Sequence, residues 1–137
     1  VLAQRKKVVG IIPDFLYECE CAHTKLSEII VVKTMAERKK LMTEKGDVFI
    51  ALPGGTGTLE EISEVMSRIR LKRLKKPFLI LNQGGFYDPL KVLIERMESE
   101  GFYAQDCFSP CFINNISDIN TYLIQWYLHD FKQAQSN

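Results

Sequence analysis

The sequence predicts an α/β fold in which a parallel sheet is doubly wound, with helices on both of its faces. Three observations carry that reading. Short runs such as Ile29-Ile30-Val31-Val32 and Val48-Phe49-Ile50-Ala51-Leu52 are apolar without alternation, as strands covered on both faces are. Between them lie segments whose apolar residues recur at helical spacing. Strand and helix signals then alternate along the chain, and two parallel strands need a crossover long enough to hold a helix.

Taken in order, residues 2–7 read as the last turn of a helix whose basic end suits the helix dipole. The chain starts at Val1 inside an element, so some further N-terminal sequence is expected to precede it. Val8-Val9-Gly10-Ile11-Ile12 is a strand closed by Pro13, and residues 14–27 form a loop with room for a helical turn. After the strand at residues 29–32, Thr34-Met35-Ala36-Glu37 matches a capping box, so a helix begins there and ends at Gly46. The third strand is residues 48–52. The helix that follows places Leu59, Ile62, Val65, Met66 and Ile69 on one apolar face.

Pro77-Phe78-Leu79-Ile80-Leu81 is a fourth strand, and the Gly84-Gly85 pair makes residues 82–87 a loop. Asp88-Pro89 then reads as an N-cap with proline at the first helical position. That helix should turn Leu90, Leu93, Ile94 and Met97 inward and stop at Gly101. A weaker strand at residues 111–113 precedes a helix capped by Ser117 or Asp118, with a stripe of Ile116, Ile119, Tyr122, Leu123, Trp126 and Tyr127. The polar tail after Phe131 is expected to fray.

Composition narrows the function. At 137 residues, 46% hydrophobic and 26% charged, the chain suits one domain, residues 1–137, with a sizeable core. A net charge of +1 supplies no field that favours nucleic acid or an anionic membrane. No apolar run approaches the ~18 to 20 residues that span a bilayer, and no secretory signal pattern is present, so a cytoplasmic location is expected. Cys19, Cys21, Cys107 and Cys111 lack the two-residue zinc spacing, and neither His23 nor His129 completes a familiar set. Reduced thiols and no metal are therefore expected. Six of the nine residues 68–76 are basic; near-zero net charge favours a solvated helix end over a phosphate or nucleic-acid patch.

The chemistry gathers at Pro53-Gly54-Gly55-Thr56-Gly57-Thr58-Leu59-Glu60-Glu61. Gly54, Gly55 and Gly57 allow positive φ and remove Cβ atoms, so backbone N–H groups can line a concavity that suits a phosphate, backed by the start of the next helix. There is no P-loop lysine, and the G-G-x-G order is not the G-x-G-x-x-G dinucleotide fingerprint, which argues against an ATPase and a hydride-transfer enzyme. Glu60 and Glu61 could equally be first-turn acids that complement the helix dipole, and Arg38 could be a surface residue in an i, i+4 pair.

This stretch resembles the P-G-G-x-G-T-x-x-E motif of the LONELY GUY family, and Met35-Ala36-Glu37-Arg38-Lys39 resembles that family's M-x-x-R-K motif. The likeness runs from residue 8 to residue 102, with two departures from the family pattern: residues 68–72 stand where the family commonly has W-x-Q-L-G, and the family's N-terminal strands and glycine-rich turn are absent from this sequence. The resemblance implies a Rossmann-like fold, a homodimer, no cofactor, and hydrolysis of nucleoside 5′-monophosphates, in some members cytokinin riboside 5′-monophosphate, to a base and ribose 5-phosphate. It implies that Arg38 and Glu61 are the catalytic pair. Met35, Lys39, Gly54, Gly55, Thr56, Gly57, Thr58, Leu59 and Glu60 would line the nucleotide site, with Glu20 and Ser67 as further substrate contacts. Carrier proteins related by fold, molybdenum-cofactor carriers among them, use similar glycine loops, so binding of a nucleotide or molybdenum cofactor without turnover is the alternative.

Overall fold

The computed structural model describes residues 6–17, 26–102 and 110–135, with side chains described as far as residue 129. It divides into two compact units, Val1–Gly46 and Asp47–Asn137. The expected turn at residues 2–7 falls mostly outside the described residues, as do Cys19, Glu20, Cys21, His23 and Cys107.

In the first unit, β1 (Val9–Pro13) pairs in parallel with β2 (Glu28–Val32), from Val9 opposite Glu28 to Pro13 opposite Val32. The strand thus includes the proline expected to close it. A short helix, α1 (Asp14–Tyr17), follows directly. The start of the pair is tied by Ser27, whose N–H donates to the Val8 carbonyl at 2.9 Å while its Oγ accepts from the Val8 N–H at 2.9 Å. After β2 comes α2 (Met35–Lys45). The capping box is present in altered form. Thr34 Oγ1 accepts from the Glu37 N–H at 3.1 Å, but the Glu37 carboxylate accepts from Lys33 N–H at 2.8 Å, one residue before the cap.

The second unit is a three-layer sandwich. Its sheet has the order β3-β4-β5, all parallel: β3 (Phe49–Ala51), β4 (Phe78–Leu81) and β5 (Cys111–Ile113). Alternation along β4 decides what packs where. Phe78 and Ile80 face α3 (Thr56–Arg70) and α4 (Asp88–Ser99), forming a core with Ile62, Val65, Met66, Ile69, Tyr87 and Ile94. Leu79 and Leu81 face the other way, against Ile113 and the Ile119, Tyr122 and Leu123 stripe of α5 (Asp118–Gln135). Leu79 and Ile80 are both 0% exposed, as the non-alternating run predicted.

Several sequence expectations need correction. Leu59 and Leu93 are 45% and 49% exposed rather than core, and Ile116 and Tyr127 also lie on the surface. The N-cap of α4 is Tyr87, because Asp88 is already helical and its carboxylate accepts from Asn82 Nδ2 at 2.7 Å instead of capping. The last helix continues to Gln135, past Phe131, where the tail was expected to fray.

Burial of this face of α5 against the sheet pushes the Tyr122 hydroxyl up from 10.0 to about 12, with the Cys111 thiol adding to the shift. The native state therefore favours neutral Tyr122: its contribution is intact below pH 10 and is lost as pH rises toward 12. Urea unfolding measured on either side of pH 10 should show that loss, and Tyr122→Phe should show a smaller loss over the same interval.

Candidate functional site

The glycine loop begins where β3 ends. Residues 52–55 are all exposed, and α3 starts at Thr56, earlier than the run of glycines suggests. None of Gly54, Gly55 and Gly57 has positive φ; the described glycines that do are Gly84, Gly85 and Gly101. The reason for glycine at residue 54 is a close approach. A Cβ there would lie 2.3 Å from Thr58 Oγ1 and 2.9 Å from Thr58 Cβ. Gly55 and Gly57 face open space, with nothing within 4 Å of an added Cβ, so they leave the backbone accessible.

Gly55 is the N-cap of α3 and supplies no side-chain acceptor. The intrahelical ladder begins with Leu59 N–H donating to Gly55 carbonyl at 3.1 Å. The N–H groups of Thr56, Gly57 and Thr58 come before that first bond, so no carbonyl of their own helix can receive them. Three donors and the positive end of a helix of 15 residues converge beside two glycines without side chains. That arrangement is suited to an anion.

The glutamates are set deeper. Glu60 and Glu61 are the fifth and sixth residues of α3, and its first turn contains no acid. The dipole effect fades within the first turn, so complementing it does not explain the pair. Glu61 is half-buried next to core residue Ile62, whereas Glu60 is exposed. In the first unit, Met35, Arg38 and Lys39 are half-buried on the first two turns of α2. The positions three and four residues from Arg38 are Thr34, Met35, Leu41 and Met42, so α2 offers it no carboxylate for an i, i+4 pair.

Ser67 lies elsewhere on α3. It is eleven residues beyond Thr56, about 16 Å along the axis at the usual helical rise, and the structure does not bring it to the glycine loop. Instead it borders a groove of about 430 Å³ between α3 and α4, lined by Leu59, Ser63, Met66, Ser67, Arg70, Leu90, Leu93, Ile94, Met97 and Phe102. No local sequence pattern marks this groove, because half of its wall comes from α4 and residue 102. Its existence also explains why Leu59 and Leu93 are exposed while holding helical core spacing.

The basic stretch behaves as a helix end in part. Arg68 Nε pairs with Glu64 Oε1 at 2.6 Å, and Arg70 Nη1 donates to the Phe102 carbonyl at 3.1 Å. Among the described residues no group of three or more His, Cys, Asp or Glu could hold a metal ion. Burial pushes the half-buried Cys111 thiol up, which disfavours the thiolate. No helix among the described residues is long and apolar enough to cross a membrane.

Parallel strands, helices on both faces of the β3-β4-β5 sheet and a glycine loop at a strand's carboxyl end define a Rossmann-like α/β protein. Comparison with known proteins takes this further: residues 1–122 match the family described as possible lysine decarboxylase, and the chain belongs to that family. The relatives it matches carry phosphoribohydrolase names. The cytokinin riboside 5′-monophosphate phosphoribohydrolase LOG of Oryza sativa subsp. japonica is 46% identical over 101 residues, covering 74% of this chain and 42% of its own length. The cytokinin riboside 5′-monophosphate phosphoribohydrolase of Rhodococcoides fascians is 49% identical over 96 residues, 69% of this chain and 48% of its own. LOG2 of Arabidopsis thaliana, with the same activity in its name, is 44% identical over 97 residues, 71% and 46% respectively. The chain thus spans about half the length of the curated relatives it matches.

The two kinds of glycine in the loop should separate on substitution. Gly54→Ala must displace Thr58 and should cost about 1 to 3 kcal/mol, the range for overpacking. Gly57→Ala enters open space in a helix and should be neutral or stabilising by up to about 1 kcal/mol. Denaturant midpoints of the two variants check both.

Proposed function

We propose that this chain is the nucleotide-binding part of a phosphoribohydrolase, which uses water to cleave the N-glycosidic bond of a nucleoside 5′-monophosphate, such as a cytokinin riboside 5′-monophosphate or AMP. The observation that carries the proposal is the uncapped start of α3, with three N–H donors beside Gly55 and Gly57, followed one turn later by half-buried Glu61. The relatives' names, all cytokinin riboside 5′-monophosphate phosphoribohydrolases, support the same reading.

In this reading the backbone of Gly54, Gly55, Thr56, Gly57 and Thr58 receives the 5′-phosphate. Glu61 stabilises the oxocarbenium character that develops at C1′ and orients or deprotonates the attacking water. Water oxygen bonds to C1′ as the C1′–N bond breaks, and the base leaves with the proton that balances the one water gives up. Arg38 holds phosphate or ribose through its planar fork and offsets charge on the leaving base. Met35, Lys39, Leu59 and Glu60 line the nucleotide, with Glu20 and Ser67 as further contacts. The protein acts in the cytoplasm as a homodimer, and Ser67, distant from the loop along its own helix, would then meet a different portion of bound substrate from the phosphate.

Product analysis against a panel of nucleoside monophosphates tests this with the intact protein. Release of base and ribose 5-phosphate is expected, with Glu61→Gln lowering kcat about 10²- to 10⁴-fold while nucleotide still binds, and Arg38→Ala weakening both binding and turnover. If the wild-type protein binds nucleotide yet liberates no base, the hydrolase reading is wrong.

A further inference from the structure

We infer that Tyr87 is a positioning residue for the glycine loop, acting through a hydrogen bond from its hydroxyl to the Leu52 main chain. The inference rests on the phosphate-binding role proposed above for that loop and adds a residue from outside both sequence motifs.

The hydroxyl of Tyr87 donates to the Leu52 carbonyl at 2.7 Å, across 35 residues of chain. The parallel ladder of β3 ends with Ala51 opposite Ile80, so the Leu52 carbonyl lies one residue past its last ladder partner. Pro53, which follows, has no N–H to add to the loop's own bonding. Side-chain burial does not anchor this stretch either: Leu52 is 58% exposed, and residues 53–57 are exposed too. At the far end, the contact between Gly54 and Thr58 and the first turn of α3 hold the chain. Tyr87 holds the near end.

The donor is itself rigidly placed. Asn82, 7% exposed, receives the Tyr87 N–H on Oδ1 at 2.7 Å and gives Nδ2 to Asp88 Oδ1 at 2.7 Å, while its own N–H donates to the Ile113 carbonyl at 2.7 Å. Gly84 and Gly85, at φ 65° and 75°, fold the turn between them, and a Cβ on Gly85 would sit 2.5 Å from the Asp88 carboxylate. Tyr87 is 6% exposed, in the α3–α4 core, and its ring meets Phe86 edge-on at 4.9 Å. The turn after β4 is therefore built to hold one phenol, and that phenol sets the origin of the loop after β3. Pre-organised donors bind an anion without first paying to be ordered.

Tyr87→Phe removes the hydroxyl and keeps the ring. In the full-length protein, isothermal titration with AMP should show affinity weakened roughly tenfold, amide exchange at residues 54–58 should quicken, and the melt should stay cooperative. Tyr127→Phe, on the exposed face of α5, is the control and should match wild type. Were Tyr87→Phe to bind AMP within twofold of wild type, the inference would be overturned. A variant that loses its cooperative melt would overturn it as well, since the hydroxyl would then serve the core and not the loop. Failure of wild type to bind AMP would instead count against the proposed function, so the two failures are distinguishable.

Discussion

Burial of β4 on both faces is the constraint on which the second unit depends. Its four residues send Phe78 and Ile80 into one core and Leu79 and Leu81 into another, so a single short strand requires helices above and below it. With β4 central, β3 and β5 must pair on either side in the same direction, and their carboxyl ends emerge together. The loops after β3 and β4 then stand at one edge of the sheet because the chain must leave each parallel strand there before its helix begins. The loop after β3 carries the glycines, and the turn after β4 carries Asn82 and Tyr87.

The glycine loop shows how polar backbone can be laid open with almost no side chains. One glycine permits a close approach to a threonine, and two leave backbone open to solvent, which together expose the start of α3 without a cap. Leaving three amide donors without intrahelical partners is tolerable only at a surface, where water or a ligand can satisfy them. The carboxylate that follows is held on the opposite principle. Glu61 is fixed by a helix whose next residue, Ile62, is among the most buried in the chain at 2% exposed, so the geometry of the acid is inherited from the core.

Much of the fold was legible because the relevant forces are local. Five strands were recognisable from apolar runs, the start of α2 from Thr34 and Glu37, and the inner face of α3 from Ile62, Val65, Met66 and Ile69, because turn chemistry, caps and periodicity act within a few residues. The site was legible in outline for the same reason: a glycine cluster between a strand and a helix restricts what the backbone can do. Leu59 and Leu93 misled because periodicity reports which face a residue occupies, and a face at the edge of two helices can border a groove instead of a core. Asp88 misled because its capping capacity was taken by Asn82, six residues earlier.

By itself the sequence determined the class of fold, the order of its elements and the place of the glycine loop between a strand and a helix, since each follows from spacing and residue type along the chain. Tertiary structure decided why those residues are needed. Gly54 is demanded by Thr58 and not by a positive φ, and Glu60 and Glu61 lie beyond the reach of the helix dipole they could have served. The bond from Tyr87 to Leu52 spans 35 residues. No local pattern announces such a contact, because it exists only once β3 and β4 lie side by side.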